Sequence, residues 1–162
     1  MIGNDIVDLD LTKTESNWKR KGFLNKIFSL NEQALINNDA NPEIMVWNLW
    51  SRKEAAYKIY NRLTGISGYF PWQFQCEYND KTNGTVAVAD FIFHTRTEIT
   101  NRYIYTIAVS EIDIFYKITN LNSLENIKKE NGIPYILDSI SNKTAPVSIT
   151  HHGRFQRIIT IF

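Results

Sequence analysis

The chain has 162 residues, of which 43% are hydrophobic and 13% aromatic, and this composition is typical of one globular domain spanning residues 1–162. A net charge of +1 without a long Lys/Arg run excludes the charge pattern of a nucleic-acid-binding protein. Cys76 has no second cysteine to pair with, and no apolar run is long enough to cross a bilayer. We therefore expect a cytoplasmic protein without a membrane partner.

The first part of the chain is predicted to fold as one strand followed by helices. The expected elements are a strand over residues 2–9, a polar helix start over 10–15, two short helices within 17–38 and a long helix over 42–61. Ser29 stands three residues before Glu32, which is the spacing of a helix capping box. Pro42 suits the first position of the long helix, and Gly65 suits its end.

The second part of the chain is rich in aromatic and β-branched residues and is predicted to be mainly β-structure. We expect strands over residues 72–78, 86–94, 102–109, 134–137, 147–150 and 155–162, an apolar segment over 111–118, and a helix over 121–130 that ends at Asn131-Gly132. One strand, then helices, then several strands predict an α+β fold in which a largely antiparallel sheet packs on the long helix.

Four residues of the long helix are separated by three, four and four positions and therefore share one stripe: Trp47, Trp50, Glu54 and Lys58. A glutamate on the same stripe as two tryptophans is expected in a cleft or at the edge of the core. The alternative is that Glu54 and Lys58 form an ordinary helix pair, worth about 0.2–0.5 kcal/mol, without a chemical role. Arg52 and Lys53 are expected on the exposed face, where basic residues are usual.

Asp5 is unusual because aspartate is disfavoured inside strands. It shares a strand face with Val7, so its carboxylate is expected to point into the protein. There it would either cap a turn or bind a metal ion. Asp8 faces the opposite side of a regular strand and should not share an ion with Asp5. Asp8 and Asp10 are instead expected to be turn or cap residues.

Residues 3–9 read Gly-Asn-Asp-Ile-Val-Asp-Leu, and residues 50–58 read Trp-Ser-Arg-Lys-Glu-Ala-Ala-Tyr-Lys. These segments resemble the strand and helix motifs of the 4'-phosphopantetheinyl transferases, which move the phosphopantetheine arm of coenzyme A onto a carrier-protein serine. The spacing from Asp5 to Glu54 is similar to that in the short members, the holo-acyl-carrier-protein synthases. Residues 28–32 resemble a minor motif, residues 65–68 a Gly-rich turn, and residues 147–155 a Ser-His-x-Gly-Arg-aromatic segment of the surfactin-synthetase-activating type.

The resemblance implies a metal and catalytic site at the first two motifs. Asp5 and Glu54 would bind Mg²⁺, and Lys58 would approach the phosphates of coenzyme A, the co-substrate. The group that takes the proton of the carrier serine would be Glu54 acting through a bound water or, as the alternative, Lys58 with a lowered pKa.

The resemblance also implies phosphate contacts near the end of the chain, with departures from the family pattern. Thr150, His151 and Arg154 would contact the 3'-phosphate or the pyrophosphate of coenzyme A. Val7 occupies the position where larger members carry a second acid, and Pro146 stands where short members often carry a histidine. These departures leave the metal pair intact and affect only the finer phosphate contacts.

The implied partners are coenzyme A and an apo acyl or peptidyl carrier protein. The basic run 19–21 is expected to be a solvated face, with docking of an acidic carrier as the alternative. The short members assemble with their sites at subunit interfaces. A homo-oligomer, such as a trimer, is therefore expected, in which His151 would serve a neighbour's site.

Two other interpretations remain open from the sequence alone. In the first, the chain is a non-catalytic relative that binds coenzyme A or a carrier protein without transfer. Pro146 and the unmatched middle of the chain motivate this interpretation. Alternatively, the two motifs would be coincidental in an unrelated α+β interaction module. Binding of magnesium and coenzyme A separates these interpretations, because the unrelated module would bind neither.

Overall fold

The computed structural model describes residues 1–138 and 143–162. The first half contains strand β1 (Ile2–Asp8) and helices α1 (Leu9–Glu15), α2 (Phe23–Ile27), α3 (Leu30–Asn38) and α4 (Pro42–Thr64). The second half contains strands β2 (Gln75–Tyr78), β3 (Asn83–Val88), β4 (Phe91–Ile99), β5 (Tyr103–Val109), β6 (Ile118–Asn120), β7 (Ile127–Glu130), β8 (Ile133–Leu137), β9 (Thr144–His152) and β10 (Phe155–Ile161). Among the helices in the described ranges, none combines the length and hydropathy needed to span a membrane.

Within the described ranges, the strands form two antiparallel sheets of five strands each. The order is β1-β5-β4-β3-β2 in the first sheet and β6-β10-β9-β8-β7 in the second. Helix α4 packs on the first sheet, mainly against β1 and β5. The predicted α+β fold, with antiparallel strands packed on a long helix, is confirmed. The strands are divided between two sheets, however, because β6 to β10 pair among themselves.

Helix α4 begins and ends with the residues that the sequence predicts. The Asn41 side chain accepts a hydrogen bond from the backbone N–H of Ile44, Pro42 occupies the first turn, and Gly65 follows the last turn with φ of 69°. The helix continues to Thr64 rather than ending at residue 61. Its apolar buried face includes Met45, Val46, Leu49, Ala55, Ala56 and Ile59.

Strand β1 crosses close to helix α4 at Gly3. A Cβ atom added at Gly3 would clash with the backbone carbonyl of Ala55, so this approach requires glycine. Asp5 lies two residues further along β1, and Glu54 directly precedes Ala55. The close crossing therefore brings the strand motif and the helix motif together.

Arg52 and Lys53 are fully buried, so the expectation that they lie on the exposed face was wrong. The Lys53 ammonium donates hydrogen bonds to Glu32 Oε2 over 2.7 Å and to two backbone carbonyls. Glu32 and Ser29 form the capping box that the sequence predicts at the start of α3. The Arg52 guanidinium donates to the carbonyl oxygens of residues 80, 81 and 83. These tertiary partners, which periodicity cannot show, explain the burial.

Three predicted elements differ from the structure. The strand expected over 86–94 is a hairpin, because the chain turns between β3 and β4 at Ala89, where φ is 48°. The helix expected over 121–130 was wrong, since its last residues form β7. Asn131-Gly132 is the turn of the β7–β8 hairpin, and its φ values of 50° and 81° suit a two-residue hairpin loop. Residues 112–117 of the apolar segment form a 3-10 helix.

The two sheets meet where β9 runs beside β1. Three alternate backbone N–H groups of β1 donate to side chains of β9: Asn4 to Ser148 Oγ (3.0 Å), Ile6 to Thr150 Oγ1 (3.1 Å) and Asp8 to His152 Nδ1 (2.8 Å). Side chains therefore satisfy these donors at the edge of β1 in place of a backbone ladder. This joint brings Thr150 within hydrogen-bond distance of Asp5.

Candidate active site

A cleft of about 260 Å³ opens where β1, α4 and the end of β9 meet. Its lining includes Asp5, Trp47, Trp50, Glu54, His151 and His152. The helix stripe that carries Glu54 therefore faces a cleft, as its spacing predicts. The cleft brings together two carboxylates, Asp5 and Glu54, that are far apart in the sequence.

Asp5 supplies the first carboxylate and is held from two sides. Its side chain is 13% exposed, and the Lys58 ammonium lies 3.9 Å from its Oδ1 atom. Thr150 donates a hydrogen bond to the same oxygen over 3.2 Å. Burial raises the pKa of Asp5 to about 6, although Lys58 and Thr150 act to lower it. The carboxylate points into the protein, as the strand pattern predicts.

Glu54 supplies the second carboxylate from helix α4. Burial is the main cause that raises the pKa of Glu54 to about 7; the negative charge of Asp5 acts in the same direction, and Lys58 opposes it. Two carboxylates that share a partly buried cleft are costly to ionise together. A cation bound between them would stabilise the ionised pair.

The donor set of the cleft fits a magnesium ion. Magnesium is usually held by one or two carboxylates together with waters and substrate phosphates, rather than by a closed cage of protein ligands. Within residues 1–138 and 143–162, no cluster of three or more His, Cys, Asp or Glu side chains could hold a metal ion. Asp5 and Glu54 would therefore form an open site of two carboxylates, which leaves the other positions to water and phosphate.

Lys58 places a cation beside Asp5, one of the two carboxylates of the cleft. Its ammonium donates to the carbonyl oxygens of Asn4 over 2.6 Å and Ile149 over 3.0 Å. The carboxylate within 4.0 Å of it is that of Asp5 rather than Glu54, so the ordinary helix pair is not formed. Burial lowers the pKa of Lys58, whereas Asp5 and Glu54 act to raise it.

The residues predicted near the end of β9 have different surroundings. Thr150 is buried, and its hydroxyl bridges the Ile6 N–H and the Asp5 carboxylate. His151 is exposed and lines the cleft. His152 accepts the Asp8 N–H through Nδ1, so it is part of the joint between the sheets. Thr150 and His151 thus lie at the candidate site, and their contacts with coenzyme A stay a prediction.

Arg154 is engaged with two aspartates. Its Nε and Nη2 atoms donate to Asp8 over 2.9 and 2.7 Å, and Nη2 also donates to Asp10 over 2.9 Å. These bonds hold the pKa of Asp8 well below its usual range. Asp8 also accepts the Asp10 N–H and caps α1, as the sequence predicts. Because the Arg154 guanidinium is committed to these partners, its contact with a coenzyme A phosphate stays a prediction.

A second cavity, of about 400 Å³, shares His151 with the cleft and adds Lys58 and Arg62 from α4 and Lys129 from β7. We call this space the basic cavity, after these four residues. Arg62 continues the helix stripe four residues beyond Lys58, and this spacing could have identified it. Lys129 lies in the segment predicted to be helical, so its position at the cavity could not be predicted from the pattern of residues.

Comparisons with known proteins show the family and the fold of the chain. The chain belongs to the 4'-phosphopantetheinyl transferase superfamily, whose family model matches residues 1–108. It is similar in fold to the holo-[acyl-carrier-protein] synthase of Helicobacter pylori, solved in complex with coenzyme A, at 16% identity and a TM-score of 0.54. That match covers 68% of this chain and 100% of the other. A search of curated protein sequences finds no match.

Proposed function

We propose that the protein is a holo-[acyl-carrier-protein] synthase. It transfers the 4'-phosphopantetheine group of coenzyme A to a serine of an apo acyl or peptidyl carrier protein, depends on Mg²⁺ and releases 3',5'-ADP. The observation that carries this proposal is the convergence of the Asp5 and Glu54 carboxylates beside the Lys58 ammonium. Membership of the transferase superfamily supports the type of reaction.

The proposed reaction exchanges one phosphorus–oxygen bond for another. The serine oxygen forms a bond to the phosphorus that carries the pantetheine arm, and the bond from that phosphorus to the bridging oxygen breaks. The bridging oxygen leaves with 3',5'-ADP, and the serine proton passes to a base. A magnesium ion held by Asp5 and Glu54 would neutralise the negative charge of the pyrophosphate. Reactions of this kind depend mainly on positioning and charge neutralisation.

The chain's own residues would divide the remaining work. The carbonyls of Asn4 and Ile149 hold the Lys58 ammonium in place, so it can donate to a phosphate oxygen without first being ordered. Glu54 is the proposed base, which would take the serine proton through a bound water. Thr150 orients Asp5 by its hydrogen bond.

The partners follow from the proposed reaction. The coenzyme A bound to the Helicobacter pylori synthase supports coenzyme A as the co-substrate here. We retain a homo-oligomer and a cytoplasmic location as parts of the proposal. His151 lines the cleft of its own chain, and its service to a neighbour's site stays part of the proposal. Light scattering on the active protein tests the oligomer, and a fully active monomer would exclude it.

The test is intact-mass measurement of a carrier protein. Apo acyl carrier protein is incubated with the purified protein, coenzyme A and Mg²⁺, and the carrier should gain the mass of phosphopantetheine. The gain should be lost in Asp5→Ala and in Glu54→Gln. Glu77→Gln, which removes an exposed carboxylate on β2, is the matched control and should retain it. Full activity in Glu54→Gln would refute the assignment.

The alternative is a relative that binds without transfer. Pro146, at the position where short synthases often carry a histidine, is the observation that favours it. Coenzyme A binding without a mass gain on acyl or peptidyl carriers would establish this alternative. Peptidyl carriers are included because the cleft does not distinguish the two carrier types.

A further inference from the structure

Asn4 is a fully buried amide on strand β1, although asparagine is disfavoured in strands. Its Nδ2 atom donates to the hydroxyl of Tyr105 over 3.1 Å and to the carbonyl oxygen of Arg157 over 3.4 Å. Its Oδ1 atom accepts a hydrogen bond from the Ser148 hydroxyl over 2.7 Å. These partners lie on β5, β10 and β9, so one side chain of the first sheet contacts two strands of the second.

The contact between Asn4 and Ser148 is closed by a second hydrogen bond. The backbone N–H of Asn4 donates to the Ser148 hydroxyl oxygen over 3.0 Å, while that hydroxyl donates to the Asn4 side chain. A hydroxyl has one proton to donate and two lone pairs, so these two bonds fix its orientation. Together they hold the backbone of β9 at a defined distance from that of β1.

The backbone carbonyls on either side of this contact hold the Lys58 ammonium. One is the carbonyl of Asn4 itself, whose oxygen lies 2.6 Å from Nζ. The other belongs to Ile149, the residue after Ser148, and its oxygen lies 3.0 Å from Nζ. One acceptor is thus on β1 and the other on β9. The separation of these carbonyls therefore depends on how Asn4 and Ser148 join the two strands.

The two carbonyls leave one N–H of Lys58 unused. An ammonium group has three N–H donors, and within the part of the chain that the structure describes two oxygen atoms accept from it. The Asp5 Oδ1 atom, at 3.9 Å, is too distant for a hydrogen bond. Because an ammonium is tetrahedral, the two bonded carbonyls also determine the direction of the third N–H.

We propose that Asn4 is a positioning residue for Lys58. Through Ser148, its side chain keeps β1 and β9 at the separation at which their carbonyls aim the free N–H of the ammonium at a phosphate oxygen of the co-substrate. This inference rests on the proposed function, because it takes a phosphate as the target of Lys58. It involves a part of the chain beyond both motifs, since Ser148 lies outside residues 1–108, the segment that matches the superfamily.

The first test compares kcat and KM for carrier modification. Ser148→Ala removes the hydroxyl that joins Asn4 to β9, and Asn4→Ala removes the whole amide. Both should lower kcat by about 10–100-fold, because a displaced ammonium stabilises the developing charge less well. KM for coenzyme A should change little. Added to Lys58→Ala, Ser148→Ala should lower kcat no further, because it acts through Lys58.

Tyr105→Phe is the matched control. It removes another buried partner of the same amide but leaves the contact between Asn4 and Ser148 intact. The loss of a buried hydrogen bond is therefore similar to that in Ser148→Ala, whereas the two carbonyls that hold Lys58 stay in place. The kcat of Tyr105→Phe should equal that of the wild type.

The second test observes the Lys58 ammonium without a substrate. In protein labelled at lysine with ¹⁵N, the side-chain signal that disappears in Lys58→Ala identifies this ammonium. The exchange of its protons with water should be faster in Ser148→Ala and Asn4→Ala than in the wild type, because the carbonyls then hold it less firmly. Exchange in Tyr105→Phe should be unchanged. If Asn4→Ala does not fold, Ser148→Ala gives the result in both tests.

The outcomes separate this inference from the proposed function. Equal effects of Ser148→Ala and Tyr105→Phe on kcat and on ammonium exchange would overturn the inference, since the amide would then serve the fold alone. A further loss of kcat when Ser148→Ala is added to Lys58→Ala would also overturn it. Neither result affects the transfer reaction. If the wild-type protein modifies no carrier, the proposed function fails, and the exchange measurement alone then decides whether Asn4 positions Lys58.

Discussion

Helix α4 carries two groups of charged residues, and they differ in how completely their charges are satisfied. Arg52 and Lys53 are fully buried, and both are surrounded by hydrogen-bond acceptors. Glu54 and Arg62 are partly buried and face cavities; Glu54 has a raised pKa, and Arg62 has an unused donor. Charged residues close together on one helix thus have different surroundings. A charge that is fully paired inside the fold is costly to unpair, whereas an incompletely paired charge at a cavity is available to a ligand.

The largest effect is expected on activity and comes from Glu54, whose charge is incompletely paired. Glu54→Gln should lower kcat/KM for carrier modification by about 10²–10⁴-fold, because it removes both a magnesium ligand and the proposed base. The free energy of unfolding without Mg²⁺ should stay unchanged or rise slightly, since the costly buried charge is gone. Kinetics and urea denaturation measure the two effects. A large loss of stability would show that the Glu54 side chain, like those of Arg52 and Lys53, is needed for the fold.

Substitution of Lys53, one residue before Glu54, is expected to lower stability strongly. Lys53→Met leaves Glu32 as an unpaired buried charge and should lower the free energy of unfolding by about 3–5 kcal/mol. Urea denaturation measures the loss. Adding Glu32→Gln to this variant should restore part of the stability, because the uncompensated charge is then removed. If the double variant is no more stable than Lys53→Met, the ion pair is not the cause.

The Asp8–Arg154 pair is expected to have an intermediate effect on stability, and this effect should depend on pH. The folded-state pKa of Asp8 is below its ordinary value of 3.8, so its contribution to stability is fully present above that value. The contribution should be lost as the pH falls below 3.8 toward the folded-state pKa. The difference in unfolding free energy between wild type and Asp8→Asn should therefore shrink between pH 7 and the acid range. A difference that does not change with pH would contradict this account.

The smallest effect is expected for an exposed pair. Lys13 and Asp10 form an ion pair with side chains that are 62% and 58% exposed. Lys13→Ala should change the free energy of unfolding by less than about 0.5 kcal/mol, because water and salt screen such pairs. Urea denaturation beside Lys53→Met gives the direct comparison of an exposed lysine with a buried one. A loss of several kcal/mol in Lys13→Ala would show that burial does not explain why Lys53 matters for stability.

Local patterns predicted the parts of the site that depend on neighbours in the sequence. The caps of α4, the capping box at Ser29 and the stripe that carries Glu54 all follow from spacing. The convergence of Asp5 and Glu54 came from the family resemblance, and the structure brings both into one cleft. The metal and phosphate contacts themselves stay predictions.

Long-range partners explain what the sequence could not predict. Lys53 is buried because Glu32 lies opposite it, and Arg52 because three carbonyls of a distant turn converge on it. Asn131-Gly132 fits both the end of a helix and a hairpin turn, and only pairing between β7 and β8 decides the matter. The position of Lys129 at the basic cavity depends on that same pairing.

The joint between β1 and β9 has a consequence for how this protein can diverge over evolution. Ser148, Thr150 and His152 bind the edge of β1, and His151 between them lines both cavities. Residues at alternate positions of one strand are thus under different constraints. Substitution at 148, 150 or 152 would open the contact between the sheets, whereas substitution at 151 would alter the lining of the two cavities. A lineage can therefore vary the cavity lining at this strand while it keeps the joint between the sheets.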